Sequence, residues 1–319
     1  MLLDVVIISL GFVGLTWGAD KFVSGTSEIA KNLGVSPLMI GLTIVALGTS
    51  APEIFSSAVA ALNGQPALAI GNSIGSNIFN IGIALAIAIM IKPLTPPVSL
   101  LRKELPALLL VSLVTGILFV DGHLGLLDSF ILIAMLAGLG YALIRKKTVR
   151  DSDLDTEEEE EEEAPASLLR AIIYLVFGLA LLILSAEALV RAATSIAESI
   201  GVSAGVIGLT IVALGTSLPE LATTVACALR GHHDLAIGNI VGSNIMNLLI
   251  VLPFPGLLSP GPIESSLLVR DYVTMLAMTL LLAIICYRAI KAKKQIGRLS
   301  GVTFLLMYIG WFVVLYTQL

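Results

Sequence analysis

The sequence predicts an all-α polytopic membrane protein with ten transmembrane helices, arranged as two inverted five-helix repeats. Of its 319 residues, 57% are hydrophobic and only 13% are charged, whereas soluble domains contain about 25% charged residues. Two segments of the first half recur in the second half, both shifted by 167 residues. The basic residues fall almost entirely on alternate connections between apolar stretches. A duplicated chain that crosses a membrane many times accounts for all three observations.

The apolar stretches give the number of crossings, because a spanning helix needs about 20 predominantly apolar residues. Five such stretches precede a central acidic segment, at residues 2–22, 37–62, 67–91, 105–120 and 125–144. Five more follow it, at residues 168–190, 204–229, 234–252, 271–290 and 300–318. An odd number of helices per repeat places the second copy upside down relative to the first, an architecture that recurs among transporters.

The basic residues predict the orientation of the chain. With the N-terminus outside, 16 of the 18 basic residues lie on the inner side. They are Lys21, Lys31, Lys92, Arg102, Lys103, Arg145, Lys146, Lys147, Arg150, Arg170, Arg230, Arg288, Lys291, Lys293, Lys294 and Arg298. Only Arg191 and Arg270 remain outside. Because cytoplasmic segments carry the excess of Lys and Arg, both termini are predicted to lie outside a cell (inner) membrane.

The predicted domains are a first repeat at 1–145, an acidic cytoplasmic linker at 146–167 and a second, inverted repeat at 168–319. The linker contains the run DSDLDTEEEEEEEAPAS. Like charges repel and extend such a run, which favours a disordered tether; a calcium-sensing segment is the alternative. Cys227 and Cys286 fall in apolar stretches, where they are interpreted as small buried side chains and not as a disulfide or zinc site.

The first repeated segment carries an acid into the membrane. GLTIVALGTSAPE at 41–53 returns as GLTIVALGTSLPE at 208–220, with one change in thirteen positions. Glu53 and Glu220 therefore correspond, and an ionisable residue inside a membrane is a functional candidate by default. A second pair of acids at the same offset, Asp20 and Glu187, lies beside basic residues and is interpreted as forming ion pairs.

The residues before each acid add further oxygen ligands. Ala46, Thr49 and Glu53 share one helix face by their spacing, so a carbonyl, a hydroxyl and a carboxylate lie along one stripe. Pro52 lacks an N–H and disturbs the helix, which predicts main-chain carbonyls near Ala46 that are open to an ion. The counterparts in the second copy are Ala213, Thr216 and Glu220, and the adjacent hydroxyls are those of Ser50 and Ser217.

The second repeated segment supplies neutral ligands. AIGNSIGSNIFN at 69–80 returns as AIGNIVGSNIMN at 236–247. Its polar residues are spaced by four and share one helix face; they are Asn72, Ser76 and Asn80, with counterparts Asn239, Ser243 and Asn247. The glycines of these segments are equally typical of close helix packing, and a lone Ser, Thr or Asn in a membrane helix often has only a structural role.

Together these residues form an oxygen-only set, which is typical of sites for hard cations such as Ca²⁺ and Na⁺ and not of zinc or copper sites. Two carboxylates near the membrane midplane are costly unless they are neutralised, and the four segments contain no Lys or Arg. One Ca²⁺, two Na⁺ or two protons would balance them. A site that must be filled by one of these sets before it crosses the membrane predicts a secondary antiporter.

At these residues the sequence resembles the Na⁺/Ca²⁺ exchangers of the calcium/cation antiporter superfamily, whose alpha repeats carry similar G-T-S-x-P-E and G-S-N-x-x-N segments. The resemblance implies that Glu53 and Glu220 are the main Ca²⁺ ligands, and that the first and sixth helices slide past the other eight. It also implies Na⁺ or Ca²⁺ contacts from Thr49, Ser50, Ser76, Asn80, Thr216, Ser217, Ser243 and Asn247, together with the carbonyls of Ala46 and Ala213.

Details of the resemblance favour Na⁺ as the coupling ion. Asn247 is similar to K⁺-independent exchangers, since K⁺-dependent relatives carry Asp there, and no acid closely follows the Gly71-Asn72 pair as in H⁺-coupled relatives. H⁺- or K⁺-coupled antiport stays the alternative, followed by a cation channel. An enzyme ranks last, because the histidines fall in loops. The expected partners are Ca²⁺, Na⁺ and the lipid bilayer, with no nucleic acid, no cofactor and a monomeric functional unit.

Overall fold

The computed structural model describes residues 2–147, 167–201, 211 and 213–318. These residues are almost entirely helical, and the repeat of the sequence is visible as a repeat of helices. Most of the acidic linker predicted at 146–167 lies outside the described residues, so its role as tether or sensor stays a prediction.

The first half contains seven helices. They are α1 (Leu2–Leu33), α2 (Pro37–Thr49), α3 (Ala51–Leu62), α4 (Pro66–Ile91), α5 (Val98–Arg102), α6 (Glu104–Leu118) and α7 (Leu126–Lys147). The second half contains six described helices. They are α8 (Leu168–Ser199), α9 (Ala213–Thr216), α10 (Leu218–Arg230), α11 (His233–Leu258), α12 (Leu267–Lys291) and α13 (Arg298–Thr317).

In the described part of the chain, six helices are long and apolar enough to cross a membrane: α1, α4, α8, α11, α12 and α13. The α2–α3 pair makes a seventh span if its two helices, bent by 46°, are counted together. The all-helical, multi-pass fold is therefore confirmed. The number ten stays a prediction, since α6 has only 15 residues, the apolar part of α7 is limited to Leu126–Ala142, and most of the counterpart of α2 lies outside the described chain.

Helices α1 and α8 form a close antiparallel pair in which glycines allow the backbones to touch. A Cβ added at Gly178 would lie 2.7 Å from the Cα of Phe22, and one added at Gly25 would lie 2.4 Å from the main-chain nitrogen of Leu175. Small residues permit this approach in membranes, where packing and not the hydrophobic effect drives helix association. The pair therefore has the contacts of a single unit.

Helix α1 is longer than the span predicted for it, because it continues from residue 22 to Leu33. Two charged residues near the predicted end of this span have partners on neighbouring helices. Asp20 accepts hydrogen bonds from Arg230 of α10, and the Nζ of Lys21 lies 5.0 Å from the centre of the Tyr174 ring. The neighbour of Asp20 in sequence, Lys21, is therefore not its ion-pair partner. Glu187 does pair with Arg191, as predicted.

Helices α4 and α11 lie at the centre of the molecule and are mostly buried. A Cβ at Gly238 would lie 2.8 Å from the main-chain oxygen of Leu38, and one at Gly242 would lie 2.7 Å from the Cβ of Ala46. These glycines thus have the packing role that the sequence left open, because they let α11 approach α2 closely. That approach brings the two repeated segments of opposite halves together.

Short connections group into two sets that agree with the predicted sidedness. On one face, Leu94 pairs with Ile296 in a β-bridge and the main-chain N–H of Thr95 donates to Nδ1 of His233 at 2.9 Å. On the other, strand β1 (His123–Leu124) pairs antiparallel with β2 (Gly261–Pro262). The first set joins connections predicted to be inside and the second joins connections predicted to be outside. His233, predicted to lie in a loop, begins α11 and accepts this bond from the other connection.

Candidate cation-binding site

Each copy of the first repeated segment contains a helix break at its serine. Ser50 separates α2 from α3 with φ −81° and ψ 5°, and Ser217 separates α9 from α10 with φ −92° and ψ 7°. In each copy a proline follows two residues later, within the first turn of the next helix. A missing N–H at that position explains why the helix is interrupted there. The break leaves the serine hydroxyl available for bonds to another helix and places Glu53 or Glu220 in the first turn that follows.

The two serines cross over to the acid of the opposite repeat. Ser50 donates to Oε1 of Glu220 at 2.9 Å, and Ser217 donates to Oε1 of Glu53 at 2.7 Å. Since residues 50 and 53 correspond to 217 and 220, the two bonds are related by the pseudo-twofold symmetry of the repeats. All four side chains are at most 1% exposed. The two acids, 167 residues apart in the chain, therefore belong to one buried site.

More hydroxyls surround these carboxylates. The Oγ of Ser217 lies 3.2 Å from that of Ser76, and the Oγ1 of Thr49 lies 3.5 Å from the Oγ of Ser243. Thr216 lies near the Glu53 carboxylate, and Thr49 and Ser243 lie near that of Glu220. The hydroxyl residues predicted from the sequence are thus brought together.

Asn72 and Asn239, predicted as neutral ligands, donate their side-chain amides to hydroxyl groups of neighbouring helices. The Nδ2 of Asn72 donates to Oγ of Ser57 at 2.9 Å, and the Nδ2 of Asn239 donates to Oγ1 of Thr224 at the same distance. Asn239 also accepts from Thr49 at 3.2 Å. These symmetric bonds tie α4 to α3 and α11 to α10, so they fix the helices that carry the acids.

A second pair of asparagines, missed in the sequence, lies where α4 and α11 meet. Asn77 donates through Nδ2 to the main-chain oxygen of Asn244 at 3.2 Å, and Asn244 donates to the main-chain oxygen of Asn77 at 3.5 Å. Because these residues correspond, the pseudo-twofold axis passes between them. Both lie in the G-S-N segments, and Asn77 shares a helix face with Ser73 and Asn80. Asn77 is not part of the four-residue series Asn72, Ser76 and Asn80 from which the ligands were predicted.

Asn80 and Asn247, here called the inner asparagines, each donate a hydrogen bond to one of the outer asparagines, Asn244 and Asn77. Asn80 donates through Nδ2 to Oδ1 of Asn244 at 3.0 Å, and Asn247 donates through Nδ2 to Oδ1 of Asn77 at 3.0 Å. Asn80 and Asn247 each begin a π-helical segment, Asn80–Leu85 and Asn247–Val251. Such segments frequently occur at functional sites. Both asparagines are fully buried.

Four buried oxygens of this cluster have no hydrogen-bond partner in the described structure. They are Oε2 of Glu53, Oε2 of Glu220, Oδ1 of Asn80 and Oδ1 of Asn247. They come in two symmetry-related pairs, and all are acceptors. Buried polar atoms are normally satisfied, so a symmetric set of open acceptors indicates a place for a cation.

The charge of the cluster agrees with that interpretation. In the described part of the chain, neither Glu53 nor Glu220 forms an ion pair with a basic residue, and the ion pairs present lie elsewhere. No group of three or more His, Cys, Asp or Glu side chains forms among the described residues. The candidate ligands are carboxylates, amides and hydroxyls, a set suited to Ca²⁺ or Na⁺.

The main-chain carbonyls predicted as ligands lie in this region too. The carbonyl of Ala46, a fully buried residue, accepts from the N–H of Ser50 at 3.0 Å. The Oγ1 of Thr49 also lies 3.4 Å from this oxygen, so the Ala46 carbonyl is not the open carbonyl that was predicted, and an ion would have to replace one of these two contacts. Ala213 begins α9, the counterpart of the turn that Ala46 begins.

Comparison with known proteins gives matches along the whole chain. A family model described as "Sodium/calcium exchanger protein" matches residues 3–144 and 170–317. CaxA of Alkalimonas amylolytica is 41% identical over 324 residues, which cover 100% of both chains. The sodium/calcium exchanger MaX1 of Methanosarcina acetivorans is 32% identical over 346 residues, covering 97% of each chain.

A solved structure agrees with the fold as well. The structure of the sodium-calcium exchanger NCX_Mj, soaked with Na⁺ and Sr²⁺, is similar with a TM-score of 0.83 and 33% sequence identity, and the match covers 98% of each chain. The likeness extends through both repeats and is not confined to the repeated segments.

Proposed function

Because the chain belongs to the sodium/calcium exchanger family, a family of cation antiporters and not of enzymes, we propose that it is a secondary active antiporter that exchanges Ca²⁺ for Na⁺. The observation that carries the proposal is the buried cluster with two carboxylates and four open oxygens. This cluster has the charge for one Ca²⁺ and lies where the two repeats meet.

We infer that Glu53 and Glu220 are the main Ca²⁺ ligands, because they supply the whole formal charge of the cluster. Ca²⁺ takes six to eight oxygens, which is more than the two acids supply. The remaining ligands come from neutral groups that surround the acids, and they are shared between Ca²⁺ and Na⁺. They are the side chains of Thr49, Ser50, Ser76, Asn80, Thr216, Ser217, Ser243 and Asn247 and the carbonyls of Ala46 and Ala213.

Charge balance supports exchange over uniport. With the site empty, two carboxylates remain buried with no basic partner in the described chain, and burying unpaired charges is costly. Either one Ca²⁺ or a set of Na⁺ ions removes that cost. The empty site therefore resists crossing between the two sides of the membrane, and the return step requires the other ion.

The α1–α8 pair supports alternating access by sliding. These two helices contact each other more extensively than they contact the rest of the fold, and they have glycine-lined backbones at their interface. The helices that hold the ligands form the other unit. Movement of the pair across the site would expose the site first to one side and then to the other.

The proposed arrangement in the membrane follows the distribution of basic residues. The first repeat, 1–145, begins outside; the linker, 146–167, is cytoplasmic; and the second repeat, 168–319, ends outside. The membrane is the cell (inner) membrane. A complete site is built from one chain, which supports a monomeric functional unit without a cofactor.

The test is uptake of radioactive Ca²⁺ into proteoliposomes that contain the full chain. Vesicles loaded with Na⁺, with K⁺, or with only a proton gradient across the membrane are compared. We expect uptake that depends on internal Na⁺. Uptake driven by the proton gradient and indifferent to Na⁺ would replace Na⁺ by H⁺ as the coupling ion, and a requirement for K⁺ would establish K⁺ coupling.

The site is tested with Glu53→Gln and Glu220→Gln. Each substitution keeps the size of the side chain but removes a charge that a bound Ca²⁺ needs, so each is expected to abolish exchange. Glu187→Gln is the matched control, since this acid lies on the surface of α8 and pairs with Arg191. Near-normal exchange by either site variant would exclude the two-carboxylate site.

A further inference from the structure

We propose that Asn77 and Asn244 are positioning residues that hold the amides of Asn247 and Asn80 with their carbonyl oxygens towards the cation. Neither residue is itself a ligand in this proposal. Both act through the asparagine of the opposite repeat. The inference rests on the proposed function, because it concerns how the same site presents its neutral ligands.

The side-chain amides of Asn77 and Asn244 are anchored to main-chain oxygens of the opposite repeat. The Nδ2 of Asn77 donates to the main-chain oxygen of Asn244 at 3.2 Å, and the reciprocal contact is 3.5 Å long. A main-chain carbonyl can only accept, so each contact fixes which end of the amide faces it. If either side chain turned over, two oxygens would face each other.

The fixed orientation of Asn77 and Asn244 determines the orientation of Asn247 and Asn80. Once its NH₂ group faces the main chain, Asn77 presents Oδ1 to Nδ2 of Asn247, at 3.0 Å. Asn244 presents Oδ1 to Nδ2 of Asn80 at the same distance. The donor end of each inner amide is thus occupied by the opposite repeat. The acceptor end is what remains, and in both cases it is an open buried oxygen.

The orientation of the Asn80 and Asn247 amides determines whether a cation meets an oxygen or an NH₂ group. An amide group has a partly negative oxygen at one end and an NH₂ group, which repels cations, at the other. All four asparagines are at most 1% exposed, so solvent water does not compete for these groups at the surface. Without Asn77, the Asn247 amide loses the acceptor that directs its NH₂ group. The side chain can then present either end to the site.

The orientation of Asn77 also limits which side chain fits at position 247. The Oδ1 of Asn77 requires a donor opposite it, which an asparagine supplies and an ionised aspartate does not. The same holds for Asn244 and position 80. Asn77 and Asn244 therefore favour an asparagine over an ionised aspartate at positions 247 and 80. The formal negative charge of the site then comes from the two carboxylates alone.

The experiment is a double-substitution cycle with Asn77→Leu, Asn247→Ala and the two combined. Leucine has nearly the shape of asparagine but neither a donor nor an acceptor. Asn77→Leu is expected to raise the Ca²⁺ concentration at half-maximal uptake about tenfold, because only a fraction of the sites then present the ligand oxygen. In the Asn247→Ala background, the same substitution is expected to add less than about twofold, since its target is gone.

Controls separate positioning from general damage. Thr115→Val removes a buried hydroxyl of α6 that donates to the main-chain oxygen of Val111 in its own helix, and should leave half-maximal uptake unchanged. Asn244→Leu, combined with Asn80→Ala, repeats the cycle in the other half and replaces the first cycle if Asn77→Leu fails to fold. Full additivity in the cycle of a folded variant would overturn the proposal.

Cation binding is also measured without transport, as the increase in melting temperature of the detergent-solubilised protein on addition of Ca²⁺, Na⁺ or K⁺. If the wild type does not exchange Ca²⁺ for Na⁺ but is stabilised by another of these cations, the proposed function fails while the cycle is run with that cation. Loss of coupling with the stabilising cation overturns the positioning role alone. Stabilisation by none of them overturns both.

Discussion

Ser217 donates its hydroxyl hydrogen to Oε1 of Glu53 at 2.7 Å, across the interface between the two repeats. Its counterpart, Ser50, makes the same bond to Glu220. Each carboxylate is therefore oriented by the repeat that does not contain it. The bond occupies one oxygen of the carboxylate and leaves the other, Oε2, without a protein partner. Cation affinity should consequently depend on contacts made between the halves.

Ser217→Ala is expected to weaken Ca²⁺ binding. A hydrogen bond to a charged group contributes about 1.5–3 kcal/mol, and its loss lets the Glu53 carboxylate rotate, so half-maximal uptake should need at least about tenfold more Ca²⁺. Ser50→Ala should behave in the same way through Glu220. The measurement is Ca²⁺ uptake as a function of concentration in Na⁺-loaded proteoliposomes.

Ser129→Ala is the matched control for the serine substitutions. Ser129 is equally buried and donates to main-chain oxygens of the α7 and α11 region, the nearest at 3.0 Å from Pro253, but it touches none of the ligands. Its removal should leave half-maximal uptake unchanged. Equal effects of Ser129→Ala and Ser217→Ala would show that the serines act only on the stability of the fold.

Gly178→Ala should separate or distort the α1–α8 pair. The added methyl group would lie 2.3 Å from the main-chain nitrogen of Phe22, and backbone atoms cannot move away as a side chain does. Overpacking typically costs about 1–3 kcal/mol. The expected result is a lower melting temperature in detergent, together with slower exchange.

The control for Gly178→Ala is Gly138→Ala in α7, where an added Cβ meets no described atom within 4 Å. Alanine has the higher helix propensity, so the melting temperature of this variant should be unchanged or slightly higher. An unchanged melting temperature for Gly178→Ala would show that α1 and α8 pack less closely at this position than the structure indicates.

Much of the fold was predictable because the duplication carries its own geometry. A fixed offset of 167 residues pairs Glu53 with Glu220 without any structural knowledge, and the odd number of helices predicted for each repeat would place the two acids face to face. The family and the helical, multi-pass architecture follow from that pattern. The ion contacts of the predicted ligands stay predictions, although hydrogen bonds join the two acids to serines of the opposite repeat and join Asn80 and Asn247 to the Asn77–Asn244 pair.

What the sequence did not reveal depends on contacts between distant elements. Asn77 and Asn244 lie on the line where α4 and α11 cross, and helical spacing alone does not tell which stripe faces a neighbouring helix. Similarly, the partner of Asp20 is Arg230, 210 positions away, and not the adjacent Lys21. A pairing of this kind requires the packing of α1 against α10 to be known.

The Asp20–Arg230 pair should bias the equilibrium between two positions of the α1–α8 unit. It joins that unit to α10, whereas its counterpart acid, Glu187, pairs within α8. The side chains are 42% and 37% exposed, and pairs of this kind contribute about 0.2–1 kcal/mol. Asp20→Asn should therefore barely change the melting temperature but shift half-maximal Ca²⁺ uptake, by up to about fivefold.

Charge reversal distinguishes the pair from an effect of Asp20 alone. Asp20→Arg combined with Arg230→Asp restores opposite charges and is expected to return half-maximal uptake towards that of the wild type. The measurement is a double-substitution cycle under one set of ionic conditions, because salt screens exposed pairs. Independent, additive effects of the two substitutions would show that the two side chains are not coupled during transport.

The proposed orientation makes a prediction about labelling from the outside of intact cells. Cys227 and Cys286 are fully buried, so an impermeant maleimide should not react with the wild type. Val120, 83% exposed beside the β1–β2 connection, lies outside in this orientation, and exposed Lys294 lies inside. Val120→Cys should react in intact cells, whereas Lys294→Cys should react only after the membrane is opened. The reverse pattern would invert the chain in the membrane, and with it every assignment of inner and outer loops. Reaction of both variants in intact cells would contradict the grouping of the connections into two faces.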